Sequence, residues 1–409
     1  MIKRFFSSEL GQGSLVLFIM INFYNFFNYL FHFLTARLLG PADYGTLAVL
    51  MSIVYIFAIP SEAIQTIVSR YTSAFNVRKE LGKMHFLLSK VLRKGLRISL
   101  ICFVFFSLFS IFLSRLLSIN YFLFFITGGV VFGIFLLPAV RGILQGRKRF
   151  KALGTNMIIE SSSKIVFALL LIGFGFRVSG AITGVVFGIF ISFFLSFFFI
   201  REVLRTPSIE AKIDGVYGYS FSVFLAILTV ILLYSLDIIL AKFFFPADVA
   251  GKYAVASMIG KMIFFGTYPI SKAMFPLSSE DSDAGKKTRP LFITSFFLLL
   301  VLCAIPLLIM LFYPKILVLV LFGNSYLEIA PVLFFLGSAM SILSFANLII
   351  MYGISVKKLS FPFLLFLGVI FEVLLFSFFH SNLREFSLAF LFSAMVFLGL
   401  SFLSIRRKG

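Results

Sequence analysis

Glu160 and Lys164 stand four residues apart in an otherwise apolar stretch, with Ser161, Ser162 and Ser163 between them. On a helix that spacing puts both charges on one face, in the favourable order of acid before base. The pair reads equally as the wall of a polar cavity, where Lys164 meets a diphosphate or a sugar, and as a self-neutralising pair that lets an apolar helix insert. Glu62, Asp237 and Glu372 also lie inside apolar runs, and Lys261 is the second clear cation there. Charges in such surroundings are costly and face a cavity or a partner. Glu62, Glu160, Asp237 and Glu372 are therefore read as ion-coupling groups or members of charge pairs. Asp237 lies towards the outer end of its run, where an interfacial role competes with ion coupling. Lys261 has no close partner in sequence and is read as a cavity group.

A second constellation is Asn22, Asn25, Asn28 and His32, at spacings of three, three and four. These residues form one stripe of a helix. Their mixed donors and acceptors suit sugar hydroxyls, with helix–helix hydrogen bonds as the plainer alternative. His32 could also titrate in a proton-coupled cycle. Arg37 and Arg70 offer the paired donors that a diphosphate favours, although interfacial snorkelling explains them too. No Gly-x-x-x-x-Gly-Lys-Ser/Thr loop is present to cradle nucleotide phosphates. His32, His85 and His380 are too scattered for a zinc motif. Asp281-Ser282-Asp283 is read as a solvated acidic turn. The expectation is no enzyme, no catalytic or metal-ligating residue, and no cofactor.

The elements that must hold these residues follow from composition. Of 409 residues, 61% are hydrophobic, only 13% are charged, and 60 are Phe. A soluble domain has about 45–50% apolar and about 25% charged residues, so this chain lacks the surface for water. Continuous apolar runs such as 99–114 argue for helices rather than a β-barrel. Spans are expected near 14–36, 45–69, 96–114, 120–140, 153–175, 178–200, 217–240, 252–275, 290–312, 328–352, 359–379 and 385–404. Pro60, Pro138, Pro269 and Pro306 are expected to kink helices. With the N-terminus in the cytoplasm, 26 Lys and Arg fall on the cytoplasmic side against seven outside. That asymmetry supports twelve spans with both termini cytoplasmic. The net charge of +20 then reflects topology and contact with anionic membrane lipids rather than nucleic acid.

The chain also repeats itself. Ala36-Arg37-Leu38-Leu39-Gly40-Pro41-Ala42-Asp43 returns 205 residues later as Ala241-Lys242-Phe243-Phe244-Phe245-Pro246-Ala247-Asp248. Ser69-Arg70 returns as Ser271-Lys272, 202 residues on. Two six-helix halves, 1–205 and 206–409, are expected, related by an axis along the membrane normal as in alternating-access transporters.

Residues 36–45 (ARLLGPADYG), 141–150 (RGILQGRKRF), 235–257 (SLDIILAKFFFPADVAGKYAVAS) and 322–333 (FGNSYLEIAPVL) carry a resemblance. In order and spacing the chain resembles the polysaccharide transporter, or O-antigen flippase-like, family of the multidrug/oligosaccharidyl-lipid/polysaccharide exporter superfamily. The resemblance implies an all-α integral membrane protein of twelve transmembrane helices, in two six-helix bundles forming a V around a central cavity. It further implies translocation of a polyprenyl-diphosphate-linked oligosaccharide across the inner membrane, with Na+ or H+ and other polysaccharide-assembly proteins as partners. An ion-coupled multidrug exporter of the same superfamily is the close alternative. A membrane-embedded polysaccharide polymerase or ligase is the distant one, because the longest outer loop, of about 15 residues, is too short for a catalytic domain.

Overall fold

In hydrocarbon every backbone amide must find its partner within the chain, and a helix does this alone. The computed structural model describes residues 9–211, 221–356, 358–359 and 362–405, and no β-strand forms among them. In chain order the helices are α1 (Glu9–Phe57), α2 (Ile59–Val77), α3 (Leu81–Leu117), α4 (Tyr121–Gly128), α5 (Val130–Gly146), α6 (Phe150–Gly173), α7 (Arg177–Phe199) and α8 (Arg201–Arg205). After these come α9 (Phe221–Phe244), α10 (Ala247–Asp283), α11 (Arg289–Phe312), α12 (Pro314–Leu321), a 3-10 segment (Asn324–Val332), α13 (Leu333–Ser355), α14 (Pro362–Phe378) and α15 (Leu383–Leu403). Nine segments of the described residues are long and apolar enough to cross a bilayer, the longest being Ile19–Val77. That segment holds two passes joined at Gly40, and α10 and α14 complete the twelve transmembrane helices.

Several boundaries differ from the sequence expectation, each for a physical reason. The loop expected between the first two spans shrinks to one residue, Gly40, whose φ of 75° only glycine adopts without strain. Beyond it the second pass runs on into α2 through Ala58, whose backbone stays helical, with Pro60 in the first turn of α2. Pro138 and Pro306 lie inside unbroken helices. The basic stretch read as a loop before residue 96 is the first part of α3. There Met84, Leu87, Leu88 and Val91 are buried while Lys90, Arg93, Lys94 and Arg97 are exposed. Asp281-Ser282-Asp283 ends α10 instead of forming a turn. The connection between α11 and α13, read from the sequence as a loop, contains α12 and the 3-10 segment. Lys3, Arg4, Lys212, Lys357, Arg406, Arg407, Lys408 and the start of the seventh span, placed at 217, lie outside the described residues.

The outward faces suit oil. On α3, Ile101, Phe105, Leu108 and Phe112 are exposed in one stripe, and on α11 Phe297, Val301, Ile305, Leu308 and Phe312 form another. Spacings of three and four make each a continuous apolar face. Patches of that size mark a surface that meets lipid rather than water.

The described contacts group the chain into two compact units. One comprises Met1–Leu39 with Ile53–Gly218, the other Gly40–Ser52 with Tyr219–Gly409. In the first unit, Gly180, Gly184 and Gly188 line one face of α7 against α6. A Cβ on Gly184 would lie 2.5 Å from the Ala168 nitrogen, and one on Gly188 would lie 2.7 Å from the Glu160 carbonyl oxygen. Small residues every four positions let two membrane helices approach this closely, and that approach fixes the backbone of Glu160 and Lys164. In the second unit the repeated motifs pack on one another. Gly45 faces Gly251, where an added Cβ would lie 2.7 Å from the Gly251 Cα.

Candidate functional site

The first unit gathers its embedded charges around α6. Arg141, on α5, donates from Nη2 to Glu160 Oε2 at 2.6 Å and from Nε to Asn156 Oδ1 at 2.8 Å. Its Nη2 also reaches Ser192 Oγ on α7 at 3.2 Å. Asn156 Nδ2 in turn donates to the Ser192 carbonyl at 2.7 Å, locking the three helices together. The Tyr24 hydroxyl of α1 donates to Glu160 Oε1 at 3.4 Å. One turn further along α6, Lys164 Nζ donates to Asn28 Oδ1 and lies 4.6 Å from the Phe31 ring centroid. Asn28 is itself oriented by its amide hydrogen bond to the Tyr24 carbonyl, 2.8 Å away.

Glu160 thus turns to Arg141 and Lys164 to a neutral amide and a ring. The extra donors to Arg141 are what a part-buried ion pair needs to offset desolvation. This cluster holds two cations and one carboxylate. Tyr24, Asn25, Asn28 and Glu160 remain part-exposed, whereas Lys164 and Arg141 are nearly covered.

The second unit builds a different cluster from α9, α10 and α14. Lys261 Nζ lies 3.0 Å from Asp237 Oδ1. Ser257 donates to Asp237 Oδ2, and Tyr253 approaches the same oxygen at 3.5 Å. Glu372 lies within electrostatic reach of both Asp237 and Lys261. The Lys261 side chain is 2% exposed and that of Asp237 is 0%. Asp237 is therefore a sealed core group.

Of the remaining candidates, His32 is buried with Nε2 3.4 Å from the Tyr55 hydroxyl. Asn22, Arg37, Glu62 and Arg70 are exposed. Arg141, Tyr24, Asn156, Ser192, Tyr253 and Ser257 had not been singled out in the sequence. Arg141 is masked there by the basic run Arg147–Lys151 that follows it. The one signal that could have exposed the α6–α7 contact is the spacing Gly180, Gly184, Gly188.

Twelve apolar helices with polar clusters embedded in them define a class, the multi-pass membrane protein, and its fold recurs among solved structures. The fold matches an inward-facing conformation of a multidrug resistance MATE family transporter of the MOP superfamily, at 14% identity over 93% of each chain with a TM-score of 0.74. An outward-facing conformation of such a transporter matches at 14% identity over 95% of this chain and 92% of that one, with a TM-score of 0.66. A MOP superfamily transporter from Pyrococcus furiosus, described as having a binding pocket of reverse polarity, matches at 16% identity over 95% and 93%, with a TM-score of 0.63. No curated protein matches the chain. The family model described as Polysaccharide biosynthesis protein covers residues 10–282. The chain belongs to that family, as the motifs at 36–45, 141–150 and 235–257 within the matched region had led one to expect.

Proposed function

We propose that the chain is a flippase carrying a polyprenyl-diphosphate-linked oligosaccharide from the cytoplasmic to the outer leaflet of the inner membrane by alternating access. Both termini would be cytoplasmic, as the distribution of Lys and Arg favours. The observation that carries this reading is the excess of positive charge in the first cluster. Arg141 is matched by Glu160, while the hydrogen bond and ring contact of Lys164 go to the neutral Asn28 and Phe31, with Glu160 in electrostatic reach of both cations. With the Glu160 carboxylate bonded to Arg141, Lys164 is the group left to meet an anionic diphosphate. Asn22, Asn25, Asn28 and His32 supply amide and imidazole groups for sugar hydroxyls. Arg37 and Arg70 serve as entry and exit contacts for the phosphates. The polysaccharide family supports the cargo class, and the inward- and outward-facing neighbours support the cycle. Its energy comes from a Na+ or H+ gradient, the membrane potential or the substrate gradient, and other polysaccharide-assembly proteins are its partners.

Export of cationic drugs is the second reading, favoured by the multidrug transporters among the structural neighbours and by the acidic excess of the second cluster. Reconstitution into liposomes separates the two. A fluorescent lipid-linked sugar should change leaflet with the wild type and far more slowly with Lys164→Ala. Efflux of a cationic dye without movement of the sugar would overturn the flippase reading.

A further inference from the structure

Glu372 sits within α14 with no solvent exposure, and neither carboxylate oxygen has a hydrogen-bond partner among the described residues. Its charged surroundings are Asp237, Lys261 and the Tyr253 hydroxyl. Asp237 is already saturated, receiving hydrogen bonds from Lys261, Ser257 and Tyr253. The single positive charge of the cluster is therefore committed. The helices nearby add no second one at that depth. On α9 the other titratable groups are Tyr234 and the terminal Lys242, α13 has only Tyr352, and α15 has only Arg384 and Glu385 in its first turn. On α10, Asp248 and Lys252 lie in the first two turns and Tyr268, Lys272 and Asp281 further along. An ionised Glu372 would be a second buried negative charge, without a hydrogen bond and competing for the one ammonium that Asp237 already holds, which proteins avoid by neutralising the group.

A free metal ion between the two carboxylates would also balance them. Lys261 Nζ, 3.0 Å from Asp237 and within electrostatic reach of Glu372, already supplies a positive charge at Asp237. We propose that Glu372 is a proton-binding site whose carboxyl holds one exchangeable proton, while the tethered ammonium of Lys261 substitutes for a metal cation at Asp237. On release, the Glu372 O–H bond breaks and the proton passes to water. The new carboxylate then shares Lys261 with Asp237, so the proton alone carries the change in charge. This inference stands on the second unit and holds whichever cargo is moved.

Infrared spectra of the purified full-length protein in sodium-free detergent, recorded without any cargo, test it. A protonated-carboxyl C=O band is expected at neutral pH, lost in Glu372→Gln. The same band should vanish in Asp237→Asn, because Lys261 is then free to pair with an ionised Glu372. Persistence of the band in either variant, or its absence from the wild type, overturns the proposal. A second measurement needs no variant. Melting of the wild type should be equal in sodium and choline chloride at matched concentration, and selective stabilisation by sodium overturns the tethered-cation assignment.

Discussion

The two embedded clusters carry opposite charge balances. Around α6 two cations face one carboxylate, with part-exposed Tyr24, Asn25 and Glu160 at the margin. Around α14 one cation faces two carboxylates, and Asp237, Lys261 and Glu372 are all sealed. Desolvation explains the division of labour. A charge with a part-exposed margin can trade its protein partner for a ligand, whereas a sealed charge must be answered from within. In the function proposed above, the first cluster meets the arriving cargo, while the second holds itself neutral.

The largest expected effect breaks the second cluster. Lys261→Ala strands Asp237 in an apolar interior, and truncating one partner of a buried pair costs about 3–5 kcal/mol. Thermal unfolding in detergent should show that loss, and adding Asp237→Asn should recover most of it. If Lys261→Ala melts like the wild type, the contrast between the clusters collapses.

Lys164→Ala sharpens the other side. A hydrogen bond to a charged group contributes about 1.5–3 kcal/mol, so leaflet transfer should slow about ten- to hundredfold. Its melting temperature should fall less than that of Lys261→Ala, because its contacts are one amide and one ring. A variant that unfolds without a specific transport defect would make the first cluster structural as well.

Gly184→Leu probes the packing that positions Lys164. Its side chain would collide with the Ala168 backbone, and overpacking costs about 1–3 kcal/mol. Reduced thermal stability should accompany slower transport.

The smallest effect belongs to a solvated ion pair used as reference. Glu202 lies between Arg147 and Arg149, each 2.7 Å away. Hydrogen bonds from Arg149 and then Arg147 hold its carboxyl down at about 2. Its contribution to stability is present above the ordinary carboxylate range, near 4.5, and is lost as pH falls through about 2. Because the side chain is 51% exposed, the effect is small. Glu202→Gln should remove only that acid-dependent portion from a series of melting curves between those limits.

The spans were legible because an apolar run is itself the signal for insertion. The start of α3 was not, since its basic face stands outside oil and hydropathy alone cannot register an amphipathic helix there. The costly charges Lys164, Lys261, Asp237 and Glu372 stood out for the same reason that the spans did. Their partners did not. The four-residue spacing joined Glu160 to Lys164, yet Arg141 from a neighbouring helix took Glu160 instead. Asn156, Ser192 and Ser257 are ordinary residues until the fold brings a charge against them.

The length of α3 has a consequence for how the molecule rides in its bilayer. Its 37 residues span roughly 55 Å at about 1.5 Å per residue, against about 30 Å of hydrocarbon. The excess carries Lys90, Arg93, Lys94 and Arg97 as a collar around a rigid rod. Such a collar acts as a depth gauge, because sinking the rod would drag ammonium and guanidinium groups into oil. In a thicker bilayer the rod stays pinned at the collar, and the lipid thins around the Phe-studded far end.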